Sequence, residues 1–329
     1  MKSCKPGAGQ EIRQTRTWVA MLALAAAGVL SACGGGTQQI DPFVPTRIIA
    51  LGDEASAITA AGKKYTINGL DATTGLLACA ANPNWVQIVA GNFGLVFKEC
   101  NPTNIATPTG IMYAAAGVKV ADVRARLDAH FANGSFGPKD LVTVMAGTND
   151  ILELYAQYPA QSSDSLLAEA RARGKLLAQQ VNRIADANGR VVVAVVPDVG
   201  LTPFAVKEAA AKPGSLDRAK FLSSLTEELN LEMTINLKND GRLIGLVKTN
   251  DDGSGGIQTM VKFASGFGFA NVTSAACLDA VALTDCTTKT LVTGAAVDTW
   301  LWASDVQLSP AGHQRLGSLA LVRARNNPF

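Results

Sequence analysis

Val191-Val192-Val193-Ala194-Val195-Val196 is six apolar side chains in a row, five of them β-branched. A strand with no polar face must be covered on both sides, as the central strands of parallel sheets are. Comparable short runs stand at Ile48-Ile49-Ala50-Leu51, at 111–116, at Leu141-Val142-Thr143-Val144-Met145-Ala146 and at 242–247. Segments of helical period separate them. In 162–187, Leu166, Ala170, Gly174, Leu177, Val181 and Ile184 step by three and four, with Asp164 or a neighbouring serine as N-cap. Helices are also expected over 119–130, 217–238 and from Pro310 onward. Strand alternating with helix predicts an α/β class, a mostly parallel sheet and right-handed crossovers.

The first residues stand apart from that pattern. Lys2, Lys5, Arg13 and Arg16 precede an apolar run over 18–29, too short to span a bilayer. It ends in Leu30-Ser31-Ala32-Cys33, which resembles the bacterial lipobox, with Gly34-Gly35-Gly36 directly after. That resemblance implies a signal peptide over 1–32, cleavage before Cys33 and lipid on its thiol. An ordinary secretory signal, with Cys33 incidental, is the competing reading. Residues 33–46, with glycines, glutamines, Pro42 and Pro45, read as a flexible tether, and 47–329 as the domain. Gly34 in place of an aspartate implies an outer-membrane lipoprotein facing the periplasm or the outside. With 48% hydrophobic residues among 329, the domain can bury a sizeable core. Loss of the basic segment takes the formal charge from +2 to about −1, so no basic field argues for nucleic acid.

Cys4 leaves with the signal, and Cys79, Cys100, Cys277 and Cys286 remain besides Cys33. An even set in an oxidising compartment predicts disulfides, and short loop closure favours Cys79–Cys100 and Cys277–Cys286 among three pairings. Zinc is the alternative, but neither pair has CxxC spacing and the histidines are His130 and His313 alone. No metal and no cofactor are expected. The first pair brackets a helix expected within 82–97, where Trp85, Ile88, Val89 and Phe93 form an apolar face, so 62–108 reads as a stapled insertion.

Four blocks carry chemistry: Gly52-Asp53-Glu54-Ala55-Ser56, Tyr113-Ala114-Ala115-Ala116-Gly117, Gly147-Thr148-Asn149-Asp150, and Ser304-Asp305-Val306-Gln307 followed by Pro310 and His313. In order and spacing they resemble the blocks of the SGNH/GDSL hydrolases over nearly all of 47–329. Val196-Pro197-Asp198-Val199-Gly200 resembles a strand end common among that family's esterases. The resemblance implies a flavodoxin-like, three-layer α/β/α fold. It also implies an oxyanion hole built from the Gly117 N–H and the Asn149 side chain, and an ester hydrolase of the GDSL lipase/esterase kind.

The resemblance fails at its reactive positions. That chemistry needs a hydroxyl nucleophile, an imidazole base and a carboxylate to orient the imidazole. Glu54, Gln307 and Ser304 stand in those places. An amide takes no proton near neutral pH, and a serine cannot stabilise an imidazolium. Asp305 is one residue late for the acid, with no histidine at 307 to orient. His313 reads as a packed helix residue hydrogen-bonded to a neighbouring loop, His130 as a surface residue, and Ser56 as a turn former rather than a nucleophile. Glu54 is expected to turn its carboxylate toward the Asn149 amide and the Gly117 N–H. Two functions follow from different classes: a catalytically degenerate lipoprotein binding a small molecule, lipid or envelope partner in its cleft, or an esterase/lipase working through non-standard residues.

Overall fold

The computed structural model describes residues 42–238, 240–250, 255–327 and 329. The segment expected as a signal peptide, the expected lipidation site Cys33 and the expected tether up to residue 41 lie outside the described residues. Pro42–Phe329 forms one compact unit that holds the whole described core and both disulfides, so it carries what it needs to fold alone.

β1, Arg47–Gly52, is buried along all but its first residue, and Arg47 is fixed by an ion pair with Asp140. α1, Trp85–Asn92, starts at an Asn84–Gln87 capping box inside the disulfide-bracketed insertion. β2, Gly110–Met112, follows, then α2, Val120–Ala132, β3, Asp140–Met145, α3, Thr148–Ala156, and α4, Ser163–Asp186, capped by Ser162. β4, Arg190–Ala194, leads to α5, Pro203–Ala211, and α6, Arg218–Ile235. β5, Ile244–Val247, α7, Ile257–Lys262, β6, Asn271–Ala275, β7, Trp300–Trp302, and α8, Pro310–Asn326, complete the chain. No helix of the described residues is long and apolar enough to cross a membrane.

The five-stranded sheet runs β2-β1-β3-β4-β5, every pair parallel. This is the flavodoxin-like order, whose topological switch lies between β1 and β3, where ligands gather in open α/β sheets. Side chains alternate across the strands and feed two cores. Ile48, Ala50, Leu141 and Val192 pack with Trp85, Val89, Leu316 and Ala320 of α1 and α8. Ile49, Leu51, Val142, Val144 and Val193 pack with Val123, Leu127, Leu177 and Val181 of α2 and α4. Those two cores make the three layers.

Several expectations change. The strand expected over 111–116 stops at Met112, because the Tyr113 and Ala114 N–H groups both turn onto the Ala50 carbonyl. β6 and β7, on either side of the Cys277–Cys286 loop, form a separate parallel pair with no counterpart in the sequence reading. α3 and α5 have no counterpart in the sequence reading. Both disulfides favoured by short closure are formed, at sequence separations of 21 and 9. His130 is buried, not on the surface; its ring stacks on Phe136 at 4.5 Å between centroids and meets Tyr113 edge-on. The helical pattern of α2 alone could not show that the 133–139 turn would fold Phe136 over it.

Candidate functional site

β1 ends in a turn that admits glycine only. Gly52 has φ +140°, and a Cβ there would stand 2.0 Å from the Met145 carbonyl oxygen of β3. Asp53 follows, wholly buried, and its Oδ1 accepts the Ala55 N–H at 3.2 Å, capping the short turn Glu54–Ser56. Burial pushes the Asp53 carboxyl up to about 7, the Glu54 charge adds to this, and the Ala55 and Thr148 donors oppose it. Asp53 therefore faces into the protein and holds the turn.

Glu54 faces the other way. Its Oε1 accepts the Gly117 N–H at 2.6 Å and its Oε2 accepts Asn149 Nδ2 at 2.8 Å. The Asn149 amide also donates to the Val118 carbonyl at 3.1 Å, which fixes its orientation. Gly117 reaches this position through a φ of +71°. Gly147 places the start of α3 with a φ of +136°, and a Cβ there would stand 2.8 Å from Val196. Asp150 accepts the Val120 N–H at 2.9 Å and pairs with Arg173 at 3.1 Å, tying α3 to α2 and α4. Burial raises the Asp150 carboxyl against those two partners, and Glu153 is held low by Lys119 and Arg173. A single carboxylate thus bridges a donor from the β2–α2 loop and one from α3, across the switch point.

The other expected site residues are placed less directly. Ser304 Oγ accepts the Gln307 N–H at 3.2 Å, and the Gln307 carbonyl accepts the Ala303 N–H at 2.8 Å, so both build a turn. Gln307 is buried and lines a cavity of about 10 Å³ with Ala55 and Thr148, room for about one water. Asp305 turns away and pairs with Lys207 on α5 at 2.7 Å. Ser56 is fully buried, and its Oγ accepts the Trp85 indole N–H at 3.1 Å. Of the four blocks, the structure brings Glu54, Gly117 and Asn149 into contact, with Gln307 against the turn after Glu54.

His313 is buried on α8, as expected of a packed helix residue, but among the described residues no side-chain hydrogen bond to a loop is seen and its Nδ1 has no partner; burial with the nearby Lys64 charge pushes it down to about 3. Lys64 is the residue that sequence reasoning missed. It is fully buried, donates to the Cys79 and Ala81 carbonyls at 2.6 and 3.0 Å, and is pushed down to about 8 by burial. Nothing in the irregular stretch around it signals burial, because its partners are backbone carbonyls of the stapled loop. A larger groove of about 510 Å³, lined by Asp198, Ser223, Glu227 and Asn230, lies on the α6 side and does not include Glu54. Among the described residues no cluster of histidine, cysteine and acidic side chains is arranged to hold a metal.

The structural neighbours are lipolytic G-D-S-L proteins and acetyl xylan esterases. One is a member of the lipolytic protein G-D-S-L family from Veillonella parvula DSM 2008, at 14% identity and TM-score 0.40, covering 84% of this chain and 96% of that one. A lipase from a goat rumen metagenome gives 15% identity and TM-score 0.44, over 85% and 97% of the two chains. An acetylxylan esterase from Geobacillus stearothermophilus gives 14% and 0.42, over 86% and 96%. No family model matches the sequence, and no curated protein matches it. What the site does is argued from this chain's own residues.

Proposed function

We propose that the chain is a membrane-anchored lipoprotein with a hydrolase-like fold that has given up hydrolysis and binds a ligand or envelope partner. The observation that carries this reading is the Glu54 carboxylate bridging the Gly117 N–H and Asn149 Nδ2. Acyl transfer needs those donors free for an oxyanion and a hydroxyl beside them. Here a carboxylate takes both, and the hydroxyl within the same turn, Ser56, is buried under Trp85. Gln307 and Ser304 supply neither base nor orienting charge. Loss of one triad member alone costs several orders of magnitude in rate. The anchoring half of the reading rests on Leu30-Ser31-Ala32-Cys33 and its basic flank.

A fluorophosphonate label and a p-nitrophenyl ester assay on the purified protein test this directly. Neither labelling nor turnover is expected from the wild type or from Glu54→Ser. The triple variant Glu54→Ser, Ser304→Asp, Gln307→His should show weak hydrolysis. Stoichiometric labelling of the wild type, at Ser56 or Ser304 above all, would overturn the reading in favour of an unorthodox esterase.

A further inference from the structure

Charge is distributed unevenly over this fold. Most cations on the α2, α4 and α6 side are neutralised: Arg171 pairs with Glu228, Arg173 with Asp150 and Glu153, and Arg183 with Asp128. The opposite layer differs. Residues 80–98, 257–278 and 306–329 contain no aspartate or glutamate. They supply α1, α7 with the turn after it, and α8, which come together on one side of the sheet.

Lys262, Arg315, Arg323 and Arg325 lie on this layer, all exposed, and among the described residues none of the four forms an ion pair. Three of them lie over phenylalanine rings. Lys262 stands 5.5 Å from the centroid of Phe263, Arg315 5.6 Å from Phe267, and Arg325 6.0 Å from Phe93. Arg315, Val322 and Asn326 fall on the outward stripe of α8 at helical spacing. Phe263 and Val322 are 56% and 57% exposed, so the cations surround large apolar side chains that face water. A cavity of about 440 Å³ between β5 and α8, lined by Leu246, Leu319, Val322 and Arg323, opens onto the same face. The unit also begins here, with Phe43 packed edge-on against Phe329 at 5.2 Å, just past the end of α8.

We propose that this face lies on an anionic lipid surface. Unneutralised basic residues around exposed aromatic and aliphatic side chains are what such a surface recognises: the cations meet the headgroup phosphates, and the apolar side chains enter the boundary beneath them. The near-neutral total charge makes the segregation matter, since attraction comes from one face and not from the molecule as a whole. A second copy of the chain seated face to face does not suit the patch, because the three segments carry cations and no acid, and the two copies would oppose like charges. The proposal does not depend on lipidation of Cys33, and a test without that residue keeps the two apart.

The test uses the Pro42–Phe329 unit and flotation with vesicles of phosphatidylcholine alone or with one quarter phosphatidylglycerol. Binding is expected to the anionic vesicles only and to vanish in high salt. Lys262→Glu, Arg315→Glu and Arg325→Glu together should weaken it at least tenfold, since each basic residue near such a surface contributes a factor of about five. Phe263→Ser should weaken it further, whereas Lys175→Glu with Lys220→Glu should leave it within about twofold. Circular dichroism checks that the variants fold. Absence of vesicle binding, equal binding to neutral vesicles, displacement by millimolar inorganic phosphate, or equal loss in the control pair would each overturn the proposal.

Discussion

Both Glu54 oxygens are held by donors from other segments, yet the side chain is only partly buried and water can reach it. Glu54→Ala should therefore lower the unfolding free energy by less than about 1 kcal/mol, with water satisfying the Gly117 N–H and the Asn149 amide. Chemical denaturation of the two proteins side by side checks this. Asp53 and His313 should act more strongly, and in opposite senses. The folded Asp53 carboxyl, raised to about 7 from 3.8, stabilises the fold below pH 4, and that contribution is lost as pH rises to 7. The folded His313, depressed from 6.5 to about 3, stabilises above pH 6.5, and that contribution is lost as pH falls toward 3. Between pH 4 and 6.5 the two oppose each other. Asp53→Asn should leave stability falling toward acid, and His313→Gln should leave it falling toward neutral pH. Each slope should amount to roughly 2–4 kcal/mol across the window. Unfolding midpoints from pH 4 to 8 read the slopes, and parallel profiles for the two variants would reject the assignment.

At the scale of elements, the stapled α1 holds the turn that carries Glu54. Trp85 donates to Ser56 Oγ at 3.1 Å, Asn84 Nδ2 donates to the Ala57 carbonyl at 3.2 Å, and Cys79–Cys100 closes the loop that supports both. Trp85→Phe keeps most of the packing and removes one buried hydrogen bond, for a loss of about 1–2 kcal/mol. Replacing both Cys79 and Cys100 with alanine should cost about 3 kcal/mol, and Cys277 with Cys286 about 0.7 kcal/mol less, because loop-closure entropy grows only logarithmically with length. Thermal unfolding of the two double variants orders the costs, and a larger loss at the shorter loop would contradict it. The β1, β3 and β4 strands were legible because a parallel strand covered on both faces must be apolar throughout. β6 and β7 were not: β6 is only partly buried and has no such run. β2 was read too long, because an apolar run does not say where its hydrogen bonds end.

For the whole molecule, Cys33→Ala should move the protein from the membrane fraction to the soluble or unprocessed fraction, as fractionation and N-terminal mapping would show. A wild type already soluble and starting elsewhere would remove the anchor from the proposal. The sequence by itself determined the α/β class, the order of the blocks, the preferred cysteine pairing and the absence of a Ser-His-Asp set at the matching positions. These are properties of local period, spacing and side-chain chemistry. The expected direction of Glu54 is met, but only the tertiary structure supplied the contacts that hold it on the Gly117 and Asn149 donors and that bury Asp53 on the other side of the turn. It alone buried Lys64 and His130, the first against carbonyls of its own stapled insertion and the second under the turn that follows its helix. It alone gathered α1, α7 and α8, drawn from three segments without an acid, onto one side of the sheet, because charge along a chain becomes a surface only when packing sets which segments are neighbours.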